Sequence, residues 1–276
     1  MSRANAIPVL MYHHVSPNPG LVTVTPQNFE LQMQALVEKG YSTLTADQFA
    51  GFLQGLNNVP ARSVLITFDD GYLDNYVYAF PIMQRLGLHG VIFVVTDWIG
   101  EGAPRPHAGE TGSAALPNCP EHKLCTQAIA SGKADDVMLR WSEIERMEAS
   151  GAVEIHSHTH AHVRWDQLFA DKGERLARLE EDLRRSRETL HGRLGRSDAH
   201  LCWPWGYFEP EYQIIASRLG FTTQYTVAKG LNRAGNDPAL IHRMVVKNRA
   251  GSWLSSRLWI YRRPWVGGLY LKLRGR

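Results

Sequence analysis

The sequence predicts an α/β fold in which a parallel sheet is covered by helices, either open or closed as a barrel. Apolar, β-branched runs alternate along the chain with segments of helical periodicity. The 276 residues suit one large domain or two small ones, and a hydrophobic fraction of 44% is ample for a packed core. Short polar clusters follow several apolar runs, and parallel sheets carry their active sites at the carboxyl ends of strands.

The first third of the chain shows the alternation clearly. A helix that begins at Phe29 has apolar residues on one face and Gly40 as its stop signal. A second helix contains Pro81, where we expect a kink. Strands are predicted at residues 7–12, 64–68 and 90–95, and helices at residues 29–39 and 76–86.

Residues 100–137 interrupt this rhythm with several prolines, glycines and serines, so we predict an inserted loop with at most a short helix. Cys119 and Cys125 lie in it, and the third cysteine is Cys202. An odd, sparse set of cysteines is not a disulfide framework. Free thiols are therefore predicted, with pairing or metal binding by Cys119 and Cys125 as the alternative.

The second half returns to alternating strands and helices. Ser142 and Glu145 form an S-x-x-E pattern that predicts a capped helix ending at Gly151. The following strand leads into a cluster of histidines. Strands are predicted at residues 153–155, 200–203, 221–227 and 240–246, and further helices at residues 171–191 and 211–219.

Two clusters far apart in the chain fit one catalytic metal. Thr67-Phe68-Asp69-Asp70-Gly71 offers one carboxylate as a ligand and a second to move protons. His156-Ser157-His158-Thr159-His160-Ala161-His162 offers two imidazoles at i, i+4 spacing, in either of two registers. Three protein ligands and one open position are typical of catalytic rather than structural zinc. A metal-assisted hydrolase is therefore the leading hypothesis.

Over roughly residues 7–250 the chain resembles the polysaccharide deacetylases with a NodB-homology domain, carbohydrate esterase family 4. Thr67–Tyr72 matches the family's first motif, His158–His162 the second, and Leu201–Gly206 part of the third. The segment Val9–Val15 resembles the subgroup that acts on poly-N-acetylglucosamine. The resemblance implies a distorted (β/α) barrel, with a catalytic domain at residues 1–250 and a basic, aromatic tail at residues 251–276.

The resemblance also implies roles for individual residues. Asp69 is the expected general base, while Asp70, His158 and His162 are the expected metal ligands. The expected general acid is His13, with His242 as its rival. The ion is expected to be zinc, which cobalt or nickel can replace. The backbone N–H of Trp205 is expected to stabilise the oxyanion.

Aromatic residues near the third motif are candidate sugar contacts. Trp205, Tyr207 and Pro204, together with Tyr72, are the expected substrate-binding residues, and plain core packing is the alternative for the aromatic rings, including Trp203. His14 is either structural or a substrate contact. Cys202 stands where many family members have an arginine that orients the catalytic aspartate, so the orientation of Asp69 is left open.

The charge pattern bears on partners and location. The net charge is only +3, which does not indicate a nucleic-acid partner. After Asp237 the chain has no acidic residue, but it has nine lysines and arginines mixed with tryptophan and tyrosine. Such a tail suits a membrane interface, although packing on the domain or at an oligomer interface is the alternative. With no signal peptide in sight, we expect a cytoplasmic protein, peripheral at the inner membrane if the tail binds lipid.

The expected reaction is removal of N-acetyl groups, as acetate, from an amino sugar in a polysaccharide or glycolipid precursor. Deformylation of a lipid-linked amino sugar is a related alternative. A non-catalytic carbohydrate-binding protein of the same fold is the alternative from another class.

Overall fold

The computed structural model describes residues 3–110 and 115–274. The strands are β1 (Val9–Tyr12), β2 (His14–Val15), β3 (Thr23–Val24), β4 (Ser42–Thr43), β5 (Ser63–Phe68), β6 (Gly90–Val94), β7 (Val153–Ser157), β8 (His200–Cys202), β9 (Thr223–Tyr225) and β10 (Met244–Val245). The helices are α1 (Pro26–Glu38), α2 (Ala46–Leu53), α3 (Phe80–Arg85), α4 (His122–Ala130), α5 (Trp141–Ala149), α6 (Trp165–Leu168), α7 (Lys172–Leu194), α8 (Pro210–Arg218), α9 (Gly251–Tyr261) and α10 (Pro264–Arg274).

The main sheet is parallel and curls into a barrel. Its order is β10-β1-β5-β6-β7-β8-β9, with β4 paired to β5. The segment before β10 reaches across the opening, because Ile241 bridges Tyr225 of β9 while Met244 pairs with Leu10 of β1. The expected distorted (β/α) barrel is thereby confirmed. The predicted strand at 240–246 is reduced to Met244–Val245 because the chain divides its pairing between two edges.

Side chains that alternate along the strands separate two cores. The inner core includes Val9, Leu65, Val91 and Tyr225, and α2 closes one end of it with Phe49. The outer core lies between the other face of the sheet and α1, α3, α5 and α9. The polar residues of the site continue the inner face of the strands beyond their carboxyl ends.

Local structure differs from the predictions in three places. Residues 100–137 hold the nine-residue helix α4, and residues 111–114 of this insertion lie outside the described residues. The expected Ser142–Glu145 cap is wrong: α5 starts one residue earlier, where Glu143 accepts the backbone N–H of Arg140 at 2.9 Å. In place of a kink at Pro81, a π-helical turn precedes α3. Cys119, Cys125 and Cys202 are free and buried.

The segment after residue 250 is helical. Leu254, Leu258 and Tyr261 of α9 are buried in the outer core, so α9 adopts the packed alternative. Helix α10 differs from α9 in that it exposes a large apolar side chain: Trp265 is 93% exposed. Among the helices in the described ranges, none has the length and apolar character that crossing a membrane would require.

Candidate active site

The turn after β5 places two carboxylates at the mouth of the barrel. Asp69 and Asp70 follow the fully buried strand directly, and both side chains are themselves buried. Asp70 adopts a left-handed backbone conformation with φ of 74°, which aspartate tolerates better than most residues. Gly71 follows with φ of 85°, and a Cβ there would lie 3.0 Å from the side chain of Val94. Left-handed backbone at a non-glycine residue is uncommon, and such conformations cluster at functional sites.

Asp70, His158 and His162 converge on one point. Oδ1 of Asp70 lies 3.2 Å from Nε2 of His158 and 3.4 Å from Nε2 of His162. One ligand atom from each residue lies within 4.8 Å of the others. Two imidazole nitrogens and one carboxylate oxygen form a donor set that fits zinc. Burial alone would raise the pKa of Asp70, but His158, His162 and His13 hold it well below its usual range.

The chain orients both histidines through their surroundings. Nδ1 of His158 lies 2.8 Å from the carbonyl oxygen of Cys202 at the end of β8, so this ring nitrogen donates and Nε2 faces Asp70. The loop that carries His162 is held by Asp182 of α7, which accepts the backbone N–H of Ala161 at 2.9 Å. Burial, followed by the charge of His158, lowers the pKa of His162 to about 4 against the opposing effect of Asp70.

Asp69 is oriented by an arginine that the sequence analysis did not identify. Nη1 and Nη2 of Arg243 donate to Oδ1 and Oδ2 of Asp69 at 2.6 and 2.8 Å. The buried guanidinium also donates from Nε to the carbonyl oxygen of Thr226. Burial raises the pKa of Asp69, but Arg243 and His13 outweigh it and lower the pKa below its ordinary value. Asp69 is therefore held as a carboxylate.

Cys202 does not take over the role of the family arginine. Its sulfur lies 3.6 Å from Oδ1 of Asp69, and burial raises the pKa of the thiol. Asp69, His158 and Cys202 form a second group of potential ligands. Because Asp69 is engaged by Arg243 and the thiol stays protonated, this group suits a cation less well than Asp70, His158 and His162.

The two candidate acids lie in different places. Nε2 of His13, at the end of β1, lies 3.8 Å from Oδ2 of Asp69, and the side chain is 20% exposed. His242 packs against Gly230, and its backbone N–H bonds to Asn232. The structure thus brings His13 to the carboxylates and does not bring His242 there. The residue beside His242, Arg243, is the one that enters the site.

The expected sugar contacts differ in how far their side chains are exposed at the site. Trp205 is 53% exposed and its ring centroid lies 4.1 Å from that of His162, so it forms a wall of the site. Tyr207 is covered by the guanidinium of Arg164 and donates to Glu209 at 3.0 Å. Trp203 and Pro204 are buried, which is the core-packing alternative. Tyr72 is also buried, but its hydroxyl lies among the polar groups at the mouth.

A second histidine cluster lies lower on the same strand, β7. Nδ1 of His156 lies 2.7 Å from Oδ1 of Asp198, and its Nε2 faces Glu154 at 3.6 Å. Nε2 of His200 bonds instead to Asp47 at 2.9 Å. His160, the third of the four histidines in this segment, bonds to Thr96 at 2.8 Å. The alternative register of His156 and His160 therefore gives no convergent pair.

Two known proteins have sequences similar to that of this chain. The chain is 39% identical over 94 residues to the putative polysaccharide deacetylase YxkH of Bacillus subtilis, covering 34% of this chain and 33% of that protein. It is 24% identical over 237 residues to the poly-β-1,6-N-acetyl-D-glucosamine N-deacetylase of Staphylococcus epidermidis, covering 83% of this chain and 69% of that protein. The match thus spans about a third of YxkH.

Solved structures show the same fold. IcaB from Ammonifex degensii superposes with a TM-score of 0.69 at 24% identity, covering 93% of this chain and 97% of that one. The deacetylase PplD of Streptococcus pyogenes gives 0.71 at 22% identity, covering 92% and 99%. The sequence model of the polysaccharide deacetylases matches residues 56–224, more than half of the chain. The chain belongs to the polysaccharide deacetylase family.

Proposed function

We propose that this protein is a metal-dependent N-deacetylase that releases acetate from an N-acetylated amino sugar. The observation that carries the proposal is the convergence of Asp70, His158 and His162 beside a second, buried carboxylate, Asp69, which Arg243 holds ionised. An amide is a poor electrophile with a poor leaving group, so its hydrolysis needs a polarised carbonyl, an activated water and an acid for the amine.

Asp70, His158 and His162 would hold the ion, and zinc fits this donor set best. When bound, the ion supplies Lewis acidity toward the acyl oxygen and toward water. Cobalt or nickel could replace zinc at such a site. Trp205 borders the ligands, and its backbone N–H is our candidate donor to the oxyanion.

Proton transfer falls to Asp69 and His13. Arg243 occupies both carboxylate oxygens of Asp69 from one side, which fixes the carboxylate toward the ligand cluster while leaving further lone pairs to accept a proton from the attacking water. His13 is more exposed than Asp69 and lies 3.8 Å from it, so it can protonate the departing amine. Asp69 and His13 thus directly follow two neighbouring strands, β5 and β1.

The substrate class is inferred from the relatives. Several of them are named for deacetylation of poly-β-1,6-N-acetyl-D-glucosamine. A polymer or a glycolipid precursor with N-acetylated amino sugars is therefore the substrate we propose. A lipid-linked formylated amino sugar would present the same amide to the site, and release of formate instead of acetate would identify it.

The test is acetate release from N-acetylglucosamine oligomers by zinc-loaded protein, with metal content measured in parallel. Asp69→Asn should keep the metal and lose about 10²–10⁴-fold in kcat, because it removes the base and keeps the ligands. Asp97→Asn is the matched control, since Asp97 pairs with His160 outside the cluster. Full activity in Asp69→Asn would refute the assignment. Glycan binding without any acetate or formate release would favour a carbohydrate-binding protein.

We also propose that α10 docks the protein on an anionic membrane surface, at the cytoplasmic face of the inner membrane. Trp265, Leu269 and Leu273 recur at i, i+4 and i+8, and their side chains are 93%, 62% and 68% exposed. Burying three such side chains in the lipid interface is worth roughly 1.5–3 kcal/mol each. Lys272 is exposed seven residues after Trp265, on the same side of α10, and near anionic lipid such a cation adds about 1 kcal/mol.

The docking proposal is tested by co-sedimentation with vesicles that contain phosphatidylglycerol. A triple Trp265→Ser, Leu269→Ser, Leu273→Ser variant should sediment less than the parent. The matched control replaces three apolar residues that are exposed elsewhere, Leu56, Leu168 and Ile214, with serine. Equal sedimentation of the parent and the α10 variant would overturn the proposal.

A further inference from the structure

The insertion at residues 100–137 brings an additional histidine to the mouth of the barrel. Its helix α4 begins with His122 and packs through the buried Cys125 onto Tyr72 and Met138. The preceding turn is also anchored, because Ser16 Oγ donates to the carbonyl oxygen of Cys119 at 2.9 Å. The helix is thus fixed to the strand ends that carry the catalytic groups.

The ring of His122 is held by one of its two nitrogens. Its Nδ1 lies 3.2 Å from Nε2 of His14 and 3.3 Å from the hydroxyl oxygen of Tyr72. The rings of His14 and Tyr72 stack with centroids 3.8 Å apart. Nδ1 of His14 in turn bonds to Oδ2 of Asp74 at 2.6 Å. His14, Tyr72 and Asp74 are at most 2% exposed, whereas His122 is half-buried.

Among residues 3–110 and 115–274, Nε2 of His122 has no hydrogen-bond partner, so this nitrogen is available to a ligand. A buried chain of three polar groups that ends on a half-exposed imidazole is more than core packing requires. The ring also lies within electrostatic reach of the catalytic groups. Burial and His14 lower the pKa of His122, Asp70 raises it, and His13 lowers it again.

The chemistry of Nε2 indicates which group it would bind. In one tautomer of His122 this nitrogen accepts a hydrogen bond, and in the other it donates one. A hydroxyl group can form a hydrogen bond with either tautomer, because it is both a donor and an acceptor. Sugar hydroxyls are the groups that a glycan brings to this end of the barrel. Trp205, beside His162, offers an aromatic face as a further wall of the site.

We propose that His122 is a substrate-binding residue that contacts a hydroxyl of the saccharide through Nε2, with His14 and Asp74 as its positioning residues. The inference rests on the proposed function, since it assigns a contact to the glycan which that function requires. It gives the insertion a role in selecting extended saccharides over small acetylated molecules. It also accounts for the presence of a buried histidine, His14, at the mouth of the barrel.

Three variants of His122 separate the two nitrogens. His122→Ala removes both, His122→Asn keeps a polar atom near Nδ1, and His122→Gln keeps one near Nε2. For a β-1,6-linked N-acetylglucosamine pentasaccharide, we expect KM to rise about tenfold in the Ala and Asn variants, with kcat within twofold of the parent. The Gln variant should recover most of the loss. Lys123→Ala, the exposed neighbour on α4, is the matched control.

Two further measurements distinguish this contact from a structural effect. Hydrolysis of 4-nitrophenyl acetate, which has no sugar hydroxyl, should be unchanged in all three variants. Calorimetric binding of the pentasaccharide to zinc-loaded Asp69→Asn protein should weaken about tenfold when His122→Ala or His122→Asn is added. Unchanged KM and unchanged binding in these variants would overturn the inference, as would equal losses on the aryl ester.

The proposed function fails separately. A parent protein that binds the pentasaccharide but releases neither acetate nor formate refutes the function, and the binding constants of the His122 variants then decide the inference alone. A parent that hydrolyses the aryl ester but neither binds nor deacetylates the pentasaccharide overturns both.

Discussion

Two clusters of histidines and carboxylates lie at different depths in one barrel, and within the described residues the upper one brings three potential ligand atoms to within 4.8 Å of one another. His156 lies on β7 and His158 directly follows it, and because they are two residues apart both rings face the interior. At the lower level the imidazoles of His156 and His200 each have a separate carboxylate, Asp198 and Asp47. At the upper level the imidazoles of His158 and His162 share a single carboxylate oxygen, Oδ1 of Asp70.

The comparison shows that residue composition does not distinguish the lower cluster from the upper one. In the lower cluster each ring has its own hydrogen-bonded carboxylate. Burial would lower the pKa of His156, yet Asp198 and Glu154 raise it to about 9. A shared oxygen brings two ring nitrogens and one carboxylate to a common point, where one cation can satisfy all three. Convergence of ligand atoms is therefore the property that makes the upper cluster the candidate metal site.

The largest loss of activity is expected when a substitution disrupts the upper cluster. His158→Gln should lose bound zinc and about 10³-fold in kcat/KM, because the ion contributes several kcal/mol to the reaction. His160→Gln is the matched control, since it lies in the same motif but bonds to Thr96. Metal content by mass spectrometry and acetate release check both variants. Loss of zinc in His160→Gln with retention in His158→Gln would show that the register is wrong.

The next effect concerns the base. Arg243→Gln should lower kcat about 10–100-fold, because the carboxylate of Asp69 loses its bidentate partner. Since Arg243 lowers the pKa of Asp69 and burial raises it, the variant should protonate Asp69 at higher pH. The acidic limb of the kcat/KM profile is therefore expected to move upward in pH.

A surface arginine provides the control for this experiment. Arg249→Gln changes the same residue type on the exposed chain after β10 and should leave the profile in place. In the double variant Arg243→Gln, Cys202→Arg, a guanidinium returns from the position that the family's third motif uses, and part of the activity should return with it. An unshifted acidic limb in Arg243→Gln would show that the ion pair does not set the ionisation of Asp69.

A third prediction concerns the stability of the lower cluster. The folded-state pKa of His156 lies above its ordinary value of 6.5, at about 9. This contribution to stability is complete below about pH 6.5 and is lost as the pH rises through 9. The free energy of unfolding in urea should therefore fall by roughly 2–3 kcal/mol across this range in the parent. In His156→Gln the fall should be smaller, and an equal fall would contradict the assignment.

The smallest expected effect concerns the rival acid. His242→Ala should change kcat/KM less than about twofold, because its ring packs against Gly230 outside the ligand cluster. His13→Ala should lose 10²-fold or more in the same assay, since an acid for the leaving amine is missing. If the two variants lose activity equally, His13 has no special role.

Much of the upper cluster could be predicted because its signals are local. Asp69 and Asp70 are adjacent, and His158 and His162 stand at metal-ligand spacing, so short motifs identify them before any tertiary contact is known. The parallel fold follows from the alternation of strands and helices, which needs no long-range information either.

Arg243 and His122 were missed for a physical reason. Arg243 lies 174 residues from Asp69 in the chain, and nothing in the run Leu240–Val246 shows which side chain enters the barrel. His122 follows a proline-rich stretch, which predicts irregular structure. The structure instead has a helix there, and this helix packs on Tyr72 through Cys125. Tertiary packing overrides local propensity in such segments.

The pairing of β1 with β10 joins the two chain regions that contact Asp69. His13 follows β1, Arg243 precedes β10, and both lie outside residues 56–224, where the family model matches. The strands that close the barrel therefore also position two partners of Asp69. If the proposed function is correct, fraying of this strand pairing would leave Asp70, His158 and His162 able to bind the ion while Asp69 loses its contacts with His13 and Arg243.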